Sequence, residues 1–357
     1  MQPSLVEKTN DKKTAVIQEL LAISTIGQGS FSQVTLTKTS ESEKLWAIKS
    51  FSKDEHVISK NKQVFLNELV ALKALKSCPF IVQLYSAFQT PKSLHLALEF
   101  CCGGEVLGLL QKKGKIEESL LKFYAAQVLL ALQSIHENGF IYRDLKPENV
   151  LIFEDGYIKL ADFGFAEPLD RPGPRKVCGT REYFSPEMVF GDRVGIPADW
   201  WAFGCFLFEM AAGYPAFERD ESDPDKIFEH ILLTKPKFPD HISKNLRNLI
   251  EGLLCKNPKK RLGSKGPQPI KLHPWFEDID FALLSQKKVE APFLPQTKDL
   301  GLQNFDEEYR LIKPEFDHCL LWEKNFDLSE VSEDFKGKKE EVSLGTTCSS
   351  DDNSLIM

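Results

Sequence analysis

The chain has 357 residues, 42% hydrophobic and 27% charged, a soluble composition long enough for one large domain or two lobes. Its net charge is −7, and residues 327–357 alone hold eight Asp/Glu against three Lys, an acidic balance that argues against nucleic acid as the main partner. Eight scattered cysteines form no C-x-x-C pair, so reduced thiols in the cytoplasm, with nuclear access possible, are expected and a metal-ligand cluster is not.

In chain order, M-Q-P-S-L-V-E-K offers no apolar signal core, and Gln2 stands where N-myristoylation requires Gly. Residues 1–19 read as a polar extension. From Leu20 to Phe51 the pattern is β-like, punctuated at Gly27 and Gly29. The segment Gly27, Gln28, Gly29, Ser30, Phe31, Ser32, ending at Val34, lies between two strands. Glycine there permits the close backbone approach that lets N–H groups cradle phosphates, although taken alone the segment reads more readily as a plain Gly-containing hairpin.

In L45-W-A-I-K49, Leu45, Ala47 and Lys49 share one strand face, and a lysine among apolar neighbours needs an anion. Residues 60–76 carry Val64, Phe65, Leu69, Leu72 and Leu75 at helical spacing, with Glu68 on the same stripe. A Lys49–Glu68 pair explains both misplaced charges; a solvated Lys49 with Glu68 at the edge of the stripe is the alternative. Two β-like runs follow, Ile81–Phe88 and Leu94–Phe100, and Gly103-Gly104 then reads as a hinge.

Beyond the hinge the sequence is mostly helical. An amphipathic helix over Ser119–Asn138 stops at Gly139, and further helices are expected at about 197–212, 224–234 and 242–255. The longest apolar stretch, Trp200 to Tyr214, contains Glu209 and is too short for a bilayer, so no membrane insertion is expected. From Trp275 the chain turns Pro-rich and irregular, and beyond about 332 it has too little apolar content for a core and is expected to be disordered.

The decisive segment is Y142-R-D-L-K-P-E-N149, followed by A161-D-F-G164. Phosphoryl transfer needs positioning and charge neutralisation more than covalent chemistry. Asp144 can accept or orient a hydroxyl proton, and Lys146 can neutralise a γ-phosphate. Asn149 and Asp162 are hard oxygen ligands suited to Mg²⁺. Downstream, S185-P-E187, Asp199-Trp200-Trp201 and Arg261 read as structural, with a buried Glu187–Arg261 pair and Asp199 bracing the loop that holds Asp144.

With these motifs in order, the sequence resembles the eukaryotic protein kinases, and among them the AGC group of serine/threonine kinases, nearest to the catalytic subunits of the cyclic-AMP-dependent kinases. Y142-R-D-L-K-P-E-N, D162-F-G-F-A, C178-G-T-R-E-Y, D199-W-W-A-F-G and K288-V-E-A-P-F carry the likeness. It implies an α+β bilobal fold, an antiparallel-sheet N-lobe at about 20–100 and a helical C-lobe at about 103–276, followed by an AGC-type tail over 277–331. It also implies ATP and Mg²⁺ as cofactors and protein Ser/Thr substrates. Carried over by position, Val34, Ala47, Leu98, Leu151 and the backbone of Glu99–Cys101 line the adenine pocket, and Phe305 belongs to a tail segment wrapping over it. Leu72, Leu84, Tyr142 and Phe163 match a stacked hydrophobic spine.

Glu105, Glu148, Glu182 and Glu209, with Thr180, match the groove that holds a peptide with arginines before the acceptor. Several positions depart from the pattern. Ser32 replaces the third loop glycine and Arg181 a usual proline, while Trp322 and Phe326 are the best tail candidates for docking on the small lobe. Arg175 and Phe228 stand where aromatic groups dock a cyclic-nucleotide-binding regulatory subunit, so any regulatory protein stays unidentified. Lys176 occupies the position of the usual phosphorylated Thr, Val64 that of a phosphate-binding His, and Glu167 that of a Lys. A bridge from Glu167 to Arg143 and Lys176 is therefore expected to replace that phosphate, the alternative being a loop that is simply disordered or is ordered by a partner. A nucleotide-binding scaffold without transfer is the competing reading of the whole chain.

Overall fold

The computed structural model describes residues 18–39, 42–54, 56–170, 179–217, 226–314 and 320–322. Three alternating β-rich segments become β1 (Gln18–Gln28), β2 (Gln33–Thr39) and β3 (Ser42–Ser52). β3 turns Ala47, Lys49 and Phe51 to one face, as strand periodicity requires. Helix α1 (Ile58–Ala74) packs on that face, burying Phe65, Leu69 and Leu72, with Phe51 and Phe65 in edge contact at 5.6 Å.

Strands β4 (Leu84–Gln89) and β5 (Ser93–Glu99) complete an antiparallel order β1-β2-β3-β5-β4. The strand expected from Ile81 starts only at Leu84. Ile81 instead forms a lone parallel bridge to Leu160, and Val82 N–H donates to the Leu160 carbonyl at 3.0 Å. These residues strap the two lobes together rather than extending the sheet.

After the glycine pair comes α2 (Val106–Lys113), a helix that the sequence pattern did not reveal because it is only eight residues long. Next are α3 (Glu118–Glu137), the pair β6 (Phe140–Ile141) with β9 (Glu167–Pro168), and the ribbon of β7 (Val150–Ile152) with β8 (Ile158–Leu160). Then follow α4 (Pro186–Val189), α5 (Ile196–Ala212), α6 (Lys226–Leu233) and α7 (Lys244–Leu253).

Helix α5 is buried almost all round, with Trp200, Trp201, Phe203 and Phe206 inaccessible, which explains the apolar run from Trp200 to Phe208. It ends at Gly213 with φ 87°, where an added Cβ would lie 2.2 Å from the Gly114 carbonyl oxygen. Ser243 caps α7, accepting from Leu246 N–H at 3.2 Å.

The stretch from Trp275 is less irregular than its prolines suggest. Just before it lies α8 (Gln268–Lys271), and it contains α9 (Phe281–Ser285) and α10 (Glu307–Arg310). A final strand, β10 (Leu320–Trp322), lies antiparallel on the free edge of β1, pairing Gln18 with Trp322 and Leu20 with Leu320. The tail thus reaches the small lobe through its backbone at Trp322, while Phe326, residues 1–17 and residues 332–357 fall outside the described residues.

Candidate active site: the cleft between the lobes

A cleft of about 710 Å³ opens between the sheet and the helical lobe. From β1, β2 and the turn between them come Gly27, Gln28, Gly29, Ser32 and Val34, and Gly29 N–H closes the hairpin on the Ser32 carbonyl at 2.8 Å. Ser30 and Phe31 do not line it: Ser30 is exposed, and the Phe31 ring meets Phe165 edge-on at 6.2 Å. Ala47 and Leu98 face each other across the β3–β5 ladder, and Leu151 on β7 completes an apolar slot.

The hinge over Glu99–Cys101 borders that slot. It is tied to the large lobe by Gly103 N–H donating to the Ile152 carbonyl at 2.9 Å. Phe305 reaches the cleft and stacks on Phe100 at 5.7 Å. Asn304 donates to the Cys102 carbonyl at 3.0 Å. Gly104, at φ 73°, leaves room for this strap, since a Cβ there would sit 2.2 Å from the Asn304 carbonyl oxygen.

Deeper in, Lys49 bonds both Glu68 oxygens at 3.0 and 2.8 Å and Asp162 at 3.0 Å. Burial alone would lower the Lys49 ammonium, but Asp162 and Glu68 outweigh it and hold its pKa above the ordinary value. Burial likewise opposes ionisation of Asp162, yet Lys49 keeps that carboxyl below its usual range. Asp162 sits at φ 51°, a left-handed conformation that a tightly held turn must sustain.

Asp144 is 5% exposed. Its Oδ2 accepts from Asn149 Nδ2 at 2.8 Å and lies 3.3 Å from Lys146 Nζ, which also donates to Thr180 Oγ1 at 3.2 Å. Its Oδ1 is buried with no hydrogen-bond donor among the described residues. Burial pushes the Asp144 carboxyl up to about 6, with Lys146 pulling the other way. The loop is braced from α5: Asp199 accepts from Tyr142 N–H at 2.9 Å, Arg143 N–H at 2.8 Å and His136 at 2.7 Å. Tyr142 and Phe163 pack at 5.1 Å between their rings, both buried, and Leu72 is buried on α1.

Asn149 spends its amide N–H on Asp144, which leaves its amide oxygen as an acceptor, and Asp162 keeps a side chain 43% exposed in the cleft. Among the described residues no cluster of three or more His, Cys, Asp or Glu could cage a metal. Two protein oxygens with the remaining positions filled by phosphate and water suit Mg²⁺, so this donor set fits it.

At the cleft's mouth, Glu105 and Glu148 lie with Asp306 and Tyr309 from the tail. Burial, then the charges of Glu148 and Asp306, push the Glu105 carboxyl up to about 7. Asp306 and Tyr309 belong to the N304-F-D-E-E-Y309 segment that resembles an AGC tail, but only Phe305 of it was assigned to the cleft from sequence. Glu209 accepts from the Tyr183 hydroxyl, and burial raises its carboxyl. Glu182 is half-buried and does not line the cleft. Glu167 on β9 bonds Arg143 at 3.0 Å, and Arg143 Nε donates to the Phe165 carbonyl at 2.9 Å. The third member of the expected bridge, Lys176, lies outside the described residues, as does Arg175. Phe228 stacks on Phe184 at 6.1 Å beneath Arg181.

The model for the protein kinase domain matches residues 21–276. The chain belongs to the protein kinase family. It is 37% identical over 297 residues to Protein kinase 2 of Dictyostelium discoideum, covering 83% of this chain and 61% of that protein. It is 36% identical over 315 residues to the serine/threonine-protein kinase gad8 of Schizosaccharomyces pombe, covering 87% of this chain and 54% of that one. To the mouse protein kinase C delta type it is 38% identical over 293 residues, covering 81% and 43%. These relatives put it with the AGC group, and the chain spans about half their length. No helix among the described residues is long and apolar enough to cross a membrane.

Proposed function

We propose that this AGC-group kinase is an active enzyme that transfers the γ-phosphate of Mg-ATP to Ser/Thr hydroxyls on proteins. One observation carries the reading: Asp144 Oδ1 is a buried carboxylate oxygen with no donor among the described residues, beside Lys146 and Asn149 and close enough to Asp162 to feel its charge. A substrate hydroxyl is the group it lacks. Asp144 accepts or orients the hydroxyl proton as the oxygen attacks. Lys146 neutralises charge on the transferred phosphoryl group, and Thr180 holds the lysine's position. Lys49, fixed by Glu68, binds the nucleotide phosphates, and the Gly27–Ser32 hairpin offers backbone N–H groups above them. Asn149 and Asp162 would hold Mg²⁺, which when bound neutralises and orients the phosphates. Ala47, Leu98, Leu151, Val34 and Phe305 enclose the base, while Glu99–Cys101 offer backbone donors and acceptors.

The acidic mouth built by Glu105, Glu148 and Asp306 favours substrates with arginines before the acceptor, because carboxylate–guanidinium bonds are charge-assisted. The Arg143–Glu167 contact supports a loop that does without the usual phosphothreonine, Glu167 supplying its anion. Purified protein from bacteria, treated with phosphatase and shown by mass spectrometry to be unmodified over residues 162–187, should phosphorylate an R-R-x-S peptide. No transfer with Mg-ATP bound would leave a scaffold instead. Activity that appears only after modification of Thr180 or Ser185 would overturn the loop reading. A library preference for acidic or proline-directed sites would overturn the basic-site reading.

A further inference from the structure

Behind the adenine slot, on the side away from solvent, Lys159 on β8 meets Glu99 at the end of β5, Nζ to Oε2 at 2.7 Å. The lysine side chain is only 6% exposed and the glutamate's 15%. Glu99 Oε2 also faces Gln83 N–H at 3.3 Å, and Glu99 N–H donates to the Gln83 carbonyl at 2.9 Å. The Lys159 ammonium lies 5.2 Å from the centre of the Phe153 ring. No step of the proposed transfer uses either charge, yet burying them costs free energy that only their mutual bond and these contacts offset.

Their placement suggests the purpose. Lys159 pairs with Leu151 across the β7–β8 ribbon, and Leu151 forms one wall of the slot. Glu99 pairs with Trp46 across the sheet and begins the hinge. The ion pair is therefore a short tie between the large-lobe wall and the small-lobe wall of the same slot. Backbone bonds also tie the lobes at Gly103–Ile152 and at Val82–Leu160, the latter reaching Glu99 through the adjoining Gln83, but among the described residues only the Lys159–Glu99 contact joins the two slot walls through side chains directly.

We infer that Lys159 is a positioning residue for the nucleotide: through Glu99 it fixes the height and direction of the hinge backbone that meets the adenine edge. This rests on the cleft being a nucleotide site. Lys159→Met keeps the side chain's length and apolar stem but leaves Glu99 without its cation. Lys159→Arg keeps the charge. The measurement is direct binding of fluorescent Mg-ADP to the full chain, with KM for ATP and kcat measured in parallel and thermal unfolding as a control for folding.

Wild type should bind the nucleotide; failure to do so would remove the nucleotide site itself, not this tie. Lys159→Met should weaken binding about tenfold and raise KM for ATP by the same factor, with kcat at saturating ATP within about twofold, because a misplaced hinge weakens ground and transition states alike. Lys159→Arg should recover most of the loss. Glu99→Gln, a milder change, should weaken binding in the same direction and serves if Lys159→Met does not fold. Unchanged binding in both Lys159→Met and Glu99→Gln, or an Arg variant as weak as the Met variant, would overturn the inference.

Discussion

Two buried ion pairs in this molecule look alike in sequence and do opposite things in space. Arg261 and Glu187 join at 2.6 and 2.9 Å, and Arg261 also donates to the carbonyls of Pro197 at 2.7 Å and Cys255 at 3.0 Å. Its donors are directed at acceptors of the protein itself. Lys49 is shared between Glu68 and Asp162, and Asp162 keeps 43% of its side chain open to the cleft. The first pair is closed and holds α4 against the end of α5. The second is held from behind and left open in front. A planar guanidinium with a fixed fork suits the closed role, while a compact ammonium on a flexible stem suits one shared with a ligand.

That contrast can be broken in graded ways. The largest effect belongs to the open side. Asp144→Asn should lower kcat by about 10²–10⁴-fold, measured by steady-state phosphorylation, with little change in nucleotide binding. Lys49→Met and Asp162→Ala should each reduce turnover by about 10²–10³-fold, since both positions are proposed to serve charge neutralisation. Wild-type turnover of Asp162→Ala in Mg²⁺ would break the assignment.

On the closed side the signs reverse. Glu187→Gln should cost about 3–5 kcal/mol in denaturant unfolding, because Arg261 is left as an uncompensated buried charge. Where the variant still folds, the chemical step should be nearly intact.

A smaller effect comes from pH. Asp144, at about 6, and Glu105, at about 7, both lie above ordinary carboxylates, so the unfolded chain releases these protons first. As pH rises from the ordinary carboxylate range towards 6–7, these groups should lower stability, and at higher pH their contribution should level off. Activity should move the other way, kcat/KM for an R-R-x-S peptide rising through pH 6–7 as both carboxylates ionise. Flat unfolding midpoints across that range, or a profile unchanged in Asp144→Asn, would contradict this. The smallest effect should be at the mouth: Glu148→Ala should raise KM for an arginine-bearing peptide by about tenfold and spare a neutral one, as one charge-assisted contact is lost.

The sequence by itself determined the local pieces. Strand alternation put Lys49 on an apolar face, helical spacing put Glu68 on an apolar stripe, and Y142-R-D-L-K-P-E-N and D162-F-G put the groups proposed to react on two short segments. These patterns are legible because each reflects a constraint within a few residues: periodicity, a turn, or a run of hard ligands. Only the tertiary structure decided which distant groups meet. Lys159 reaching Glu99, Asp306 approaching Glu105, β10 lying on the edge of β1 and Asn304 closing over Gly104 join residues far apart in the chain. No local pattern encodes such encounters, because they depend on how the two lobes and the tail pack around one cleft.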